Sequence, residues 1–134
     1  MTIGEIKKEA LKLMFTNQDN EIDSLDMEDL YADSNYGDFL NNMYGSINRA
    51  IVRLKSKGVE YTGGWLKHDT NDDLEMELDE NLCMLIPYFI KGELYEEDNA
   101  QNSAITRNLF EDMVDDYLSS KAITTIDTVF GMDV

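Results

Sequence analysis

Residues 36–58 read YGDFLNNMYGSINRAIVRLKSKG. Tyr36, Phe39, Leu40, Met43, Ile47, Ala50, Ile51 and Leu54 recur at steps of three and four, so one side of a 3.6-residue helix is apolar along its length. Gly58 stands where a C-cap glycine belongs, and Lys55 and Lys57 suit the negative end of the helix dipole. A helix of this length and polarity has to lay its apolar side on other elements. The flanking sequence supplies them.

Toward the N-terminus, residues 3–14 predict a helix. Thr2 and Glu5 form a capping-box pair, and Ile3, Ile6, Ala10, Leu11, Leu13 and Met14 give an apolar side. Residues 17–34 are polar and acidic, with a short apolar register at Leu25, Met27, Leu30 and Tyr31 that fits one helical turn.

Toward the C-terminus, Gly63-Gly64 interrupts the chain, and Leu74, Met76 and Leu78 alternate with acids, predicting extended structure within 59–78. Helix resumes over 79–95 on Leu82, Leu85, Ile86, Phe89 and Leu94. A final helix is expected over 100–118 on Ile105, Leu109, Met113 and Tyr117. Residues 122–134 hold Ile123, Thr124, Thr125, Ile126, Thr128 and Val129, and their β-branching predicts an extended tail. The expected architecture is all-α: a four-helix bundle over 1–121 with an irregular acidic insertion, and an extended tail over 122–134.

The 134 residues suffice for one core, and 43% apolar content argues against disorder. The lone Cys83 admits no disulfide within the chain, and one Cys with one His excludes Cys/His zinc ligation. No apolar run reaches the ~20 residues of a membrane span, and no signal-peptide core is present, so an intracellular protein without membrane contact is expected. Eleven basic residues face 28 acidic ones, a net charge of −17. The imbalance is uneven: residues 1–57 carry 7 basic and 10 acidic side chains, and residues 58–134 carry 4 and 18. Such a surface repels phosphate backbones and anionic lipid.

Four groups of residues stand out. Asp69, Asn71, Asp73 and Glu80 occupy positions 1, 3, 5 and 12 of a calcium loop, but Leu74 replaces the glycine of position 6 and no helix leads in. A solvated acidic loop is the stronger reading. Glu111, Asp112, Asp115 and Asp116 put like charges four apart on the last helix, either as a solvated face or as one that meets cations of another subunit. Arg49, Arg53 and Lys57 form a basic ridge, a candidate complement to that face or a solubility feature. Pro87 and Gly92 break helix rules twice in one predicted helix, which points to a kink or a close helix contact. The lesser alternative is two shorter helices meeting at Pro87. His68 has no nucleophile context, Cys83 sits on an apolar helix side, and Gly63-Gly64 lacks a phosphate-loop pattern. Neither an enzyme nor a cofactor is expected.

The run Ile86-Pro87-Tyr88-Phe89-Ile90-Lys91-Gly92-Glu93-Leu94-Tyr95-Glu96-Glu97-Asp98, followed by Asn108-Leu109-Phe110-Glu111, resembles the head–tail connector (adaptor) proteins of long-tailed bacteriophages and prophages. Thr2-Ile3-Gly4-Glu5-Ile6 and Asn42-Met43-Tyr44-Gly45-Ser46-Ile47-Asn48-Arg49 extend the likeness over residues 2 to 118. The resemblance implies a small helical bundle in the virion neck, made in the host cytoplasm. It would form a ring, usually twelvefold, beneath the portal protein, extend the DNA channel and present a surface to the next head-completion or tail protein. DNA would pass without specific binding. On that reading Arg49, Arg53 and Lys57 meet a neighbour's Glu111, Asp112, Asp115 and Asp116. Ile123, Ile126, Val129 and Phe130 of the tail would dock on the portal or a neighbouring subunit. The alternatives are an acidic DNA mimic that inhibits a host DNA-binding protein and a calcium-binding module.

Overall fold

The apolar side of residues 36–58 is buried as its spacing requires: Tyr36, Leu40, Met43, Ile47, Ala50, Ile51 and Leu54 are each 1% exposed or less. The computed structural model describes the backbone of residues 1–95 and 100–130 and the side chains of 1–95 and 104–121. Seven helical segments lie among the described residues: α1 (Ile3–Met14), α2 (Asp19–Ser24), α3 (Met27–Ala32), α4 (Gly37–Ser56), α5 (Glu80–Cys83), α6 (Ile86–Leu94) and α7 (Ala100–Phe130). The fold is all-α, as expected.

Helix α1 begins with the expected capping box: Glu5 N–H donates to Thr2 Oγ1 at 3.1 Å and Thr2 N–H to Glu5 Oε1 at 3.0 Å. Helix α4 stops at Gly58, whose φ of +95° costs glycine little. Val59 N–H donates to Leu54 O and Gly58 N–H to Lys55 O, so the last carbonyls are used and Val59 folds back on the core. The acidic stretch 17–34 forms two short helices, not one turn, and buries Ile22 and Leu30.

At the centre lies α6, which packs against α1, α4 and α7. Phe89 meets Phe110 edge to face at 5.2 Å, and a Cβ on Gly92 would stand 3.1 Å from Arg107 Cγ. These pairs run in opposite senses along the two helices, so α6 and α7 are antiparallel. Gly92 therefore serves the close helix contact.

Pro87 does not kink a helix. The predicted 79–95 helix is two, with a first turn at α5 capped by Asp79 and a new start at Leu85. Pro87 falls in the first turn of α6, where an N–H would have no partner within the helix, so the ring costs nothing there. The tail expectation is also corrected, because α7 continues as helix to Phe130. β-Branching costs only a few tenths of a kcal/mol per residue, and extending an existing helix needs no new nucleus. Residues 131–134 lie outside the described residues.

The insertion between α4 and α5 is irregular, as expected, but firmly attached. Ile3 N–H donates to Leu74 O and Gly4 N–H to Asp72 O, so the loop satisfies first-turn donors of α1. An isolated antiparallel bridge joins Thr2 to Glu75. The Asn48 side chain grips Leu66 twice, Nδ2 donating to its carbonyl and Oδ1 accepting from its N–H, both at 2.9 Å. Met76 is buried, whereas Leu74 is 52% exposed, so the period-two pattern does not put both on one face.

Lys7 fixes this loop from below. Its ammonium donates to Asp72 Oδ1 at 2.8 Å and to Tyr31 Oη at 2.6 Å, with the Lys7 side chain only 5% exposed. Removing one partner of a buried pair strands the other charge. Lys7→Ala is expected to cost about 3 kcal/mol in equilibrium urea unfolding. Lys8→Ala, which loses a single hydrogen bond to Leu25 O, should cost under about 1 kcal/mol. Equal effects would show that the Lys7 contacts do not hold the loop.

Candidate functional site

The residues singled out by charge meet along α4. Arg49 Nε reaches both carboxylate oxygens of Glu93 on α6, at 2.9 and 2.8 Å. Arg53 makes a two-pronged contact with Glu111 on α7, Nε to Oε1 at 2.6 Å and Nη2 to Oε2 at 3.1 Å. Lys57 Nζ lies 2.7 Å from Glu111 Oε2 and 2.7 Å from Asp115 Oδ1. The pairs 53–111 and 57–115 advance together, so α4 and α7 run parallel where they meet.

The electrostatics follow from this geometry. The hydrogen bond to Asp115, seconded by Glu111, holds the Lys57 ammonium above its ordinary value, and Glu93 and Glu111 do the same for Arg49 and Arg53. Burial pushes the Glu111 carboxyl up, but hydrogen bonds from Arg53 and Lys57 outweigh it and leave the group below its usual value. The ridge therefore has acidic partners without a neighbouring subunit. Its charge is compensated within the chain, between α4, α6 and α7. Of the acidic face, Glu111 and Asp115 are used in this seam, while Asp112 and Asp116 are exposed. The seam is a brace, and like other partly exposed ion pairs it is weakened by salt.

The remaining candidates are dispersed. Asp69, Asn71, Asp73 and Glu80 do not converge: Asn71 Oδ1 accepts from Asp73 N–H at 2.9 Å, and Glu80 belongs to α5. Among the described residues no three His, Cys, Asp or Glu side chains form a metal-binding group. Cys83 is buried, its Sγ 3.6 Å from Leu78 O, and burial pushes the thiol up to about 11, so it is protonated at neutral pH. His68 is exposed and stands edge-on to Tyr44 at 5.9 Å. The side chains of Ile123, Ile126, Val129 and Phe130 lie outside the described residues; the backbone places all four on α7. No described helix is long and apolar enough to cross a membrane.

Three structural roles went unread in the sequence. Glu93, the partner of Arg49, is the single acid of the largely apolar α6. Lys7 sits between Ile3 and Ala10 on the apolar side of α1, and a cation in that register signals a buried partner. Met84 falls off the apolar stripe of its neighbours and is 56% exposed beside a groove between α1 and the α5–α6 corner. No protein-family model, curated protein or solved structure matches the chain.

The seam has a pH signature. A carboxyl held below its ordinary value contributes stability that is complete above about pH 4.5 and lost as pH falls through the lowered value. Glu111→Gln is expected to flatten the acid limb of melting temperature against pH. Arg53→Glu should lower the melting temperature of the isolated chain by roughly 3 °C, and the exchange Arg53→Glu with Glu111→Arg should restore much of it. If Arg53→Glu leaves melting unchanged, the pairing is not intramolecular in solution.

Proposed function

We propose that this protein is a structural component of a phage neck, a head–tail connector that forms a ring beneath the portal, extends the DNA channel and offers a docking surface to the next protein. The observation that carries the reading is the length of α7. Leu118 is the last of its described residues packed on the core, and Ser119, Ser120 and Lys121 are exposed, yet helix continues to Phe130. At 1.5 Å per residue, residues 119–130 add about 18 Å of helix. Ile123, Ile126 and Phe130 stand at i, i+3 and i+7 along it, the spacing of an amphipathic helix that enters a partner's groove. Helix insertion replaces the strand addition that an extended tail would have used.

The likeness to connector proteins supports the same reading, because its residues carry the packing. Ile86, Pro87, Ile90 and Gly92 are buried in α6, and Met43, Ser46 and Ile47 in α4. With the basic ridge engaged inside the chain, contacts between ring neighbours fall to apolar surface, of which Ile105 and Leu109 on α7 are 58% and 44% exposed. The acidic exterior suits a conduit that DNA must not stick to.

The DNA-mimic reading gains one point: the attachment of the acidic loop to Lys7 and Asn48 gives its carboxylates fixed positions. Competition separates the two. A mimic displaces a DNA-binding protein from duplex DNA, and a connector does not.

Deleting residues 122–134 should leave the melting temperature within about 2 °C of the full chain, since α7 has already turned Ser119, Ser120 and Lys121 to solvent before the cut. Attachment to the portal, scored by electron microscopy and co-sedimentation, should fall at least ~10-fold, a loss of about 1.4 kcal/mol or more. Undiminished attachment would remove the end of α7 as the docking element. The full chain is also expected not to retain duplex DNA at micromolar concentration and physiological salt. Retention would defeat the conduit reading.

A further inference from the structure

We propose that the groove between α1 and the α5–α6 corner docks an apolar segment of another protein that is flanked by lysine or arginine. The groove measures about 380 Å³. Its apolar lining includes Leu13, Met84, Pro87 and Tyr88, and Glu5 and Glu9 line it from α1 and Glu80 from α5. That volume is near the small end of the roughly 300–1,000 Å³ of small-ligand clefts and suits one or two anchoring side chains.

Met84 is exposed there because of the chain break that Pro87 marks. Helix α5 ends at Cys83 and α6 starts at Ile86, so Leu82, Cys83 and Ile86 turn inward while Met84 is left at the corner. A flexible thioether at the lip of an apolar cleft adapts to differently shaped anchors. Leu13 tells the same story from α1: it belongs to the apolar pattern of the helix yet is only half buried, facing this groove instead of the core.

Charge names the occupant. Glu5 is held in place by Thr2 N–H at 3.0 Å, and Glu9 pairs at 3.2 Å with a Lys12 that also serves Asp23, so one cation is divided between two carboxylates and the groove keeps its acidic character. The ammonium of Met1, which also lines the groove, is paired with Glu75 at 3.2 Å. A second copy of this chain, at −17, would bring like charge to like charge. A segment with an apolar anchor and basic flanks matches both parts of the groove, in the manner of an amphipathic helix laid in a cleft. The inference stands on this geometry and does not require the connector reading.

The test uses the full chain and a dye-labelled synthetic 12-residue peptide with leucine at i, i+3, i+4 and i+7 and lysine elsewhere. Controls carry glutamate for lysine, or alanine for leucine. Binding is read by fluorescence anisotropy at about 0.15 M salt, where surface charge is screened beyond roughly 8 Å. Methionine-methyl NMR locates the contact. The lysine–leucine peptide should bind and shift the Met84 resonance, and both control peptides should bind at least ~10-fold more weakly. Met84→Asp makes the protein more acidic while removing the anchor, and should weaken binding at least ~10-fold. Glu80→Lys should weaken it roughly threefold or more. Both positions are exposed, and unchanged melting will confirm that the variants fold. The proposal is overturned if the peptide does not bind, if Met84→Asp binds it as well or better, if the alanine control binds equally, or if Met84 does not shift.

Discussion

A nine-residue helix too short to persist alone holds three longer elements together. Isolated helices under ~12–15 residues are marginal in water, so α6 exists because α1, α4 and α7 bury it. The dependence is mutual. Ile86 and Ile90 are fully buried, and Gly92 admits α7 to close range, so the apolar sides of the other helices have α6 as their common surface. Pro87 belongs to this arrangement as a start signal. It ends the α5 turn and sets the first turn of α6, which fixes where the short helix begins and hence which of its faces meets each neighbour.

The same economy governs the charges. In a chain of net charge −17, basic side chains are scarce, and several are spent on internal geometry. Lys7 is buried to hold Asp72, Lys12 reaches Glu9 and Asp23, and Arg49, Arg53 and Lys57 tie α4 to α6 and α7. Apart from Lys12–Glu9, three residues apart on α1, these contacts join different elements of the fold. Lys7 acts with the backbone donors of Ile3 and Gly4, so the start of α1 and the acidic loop form one unit in which neither is satisfied without the other.

Much of this was legible because local pattern and tertiary burial agree. Along α4 the apolar positions predicted by spacing became core, with Phe39 half-buried beside them, and Gly58 capped the helix by the expected bonds. Reading failed where two local signals competed. Over 79–95 the apolar spacing fits one continuous helix while Pro87 marks a fresh start, and the fold follows Pro87. The β-branching of 122–130 is a weak preference that the cooperativity of a helix already formed overrides. The ridge and the acidic face were visible as four-residue spacings, and their complementarity was visible too. Whether they meet within one chain or across two is a matter of which helices pack in parallel, and helix spacing is blind to that. Met84 was hardest to read, since its meaning lies in an exposure created by the chain break beside it.

Internal pairing also constrains how such a protein associates. With the α4 ridge engaged, copies placed side by side present mostly carboxylates, among them the exposed Asp112 and Asp116 of α7. Repulsion between like surfaces opposes closed rings of the isolated chain, and it grows as salt is lowered. On the connector reading, assembly then needs two things the single chain lacks. One is apolar contact strong enough to offset repulsion, for which Ile105 and Leu109 are the available α7 surface. The other is a basic partner that draws the acidic copies to one place. On that reading the chain would stay dispersed until such a partner is present, and the charge that opposes association in solution would direct it to the template.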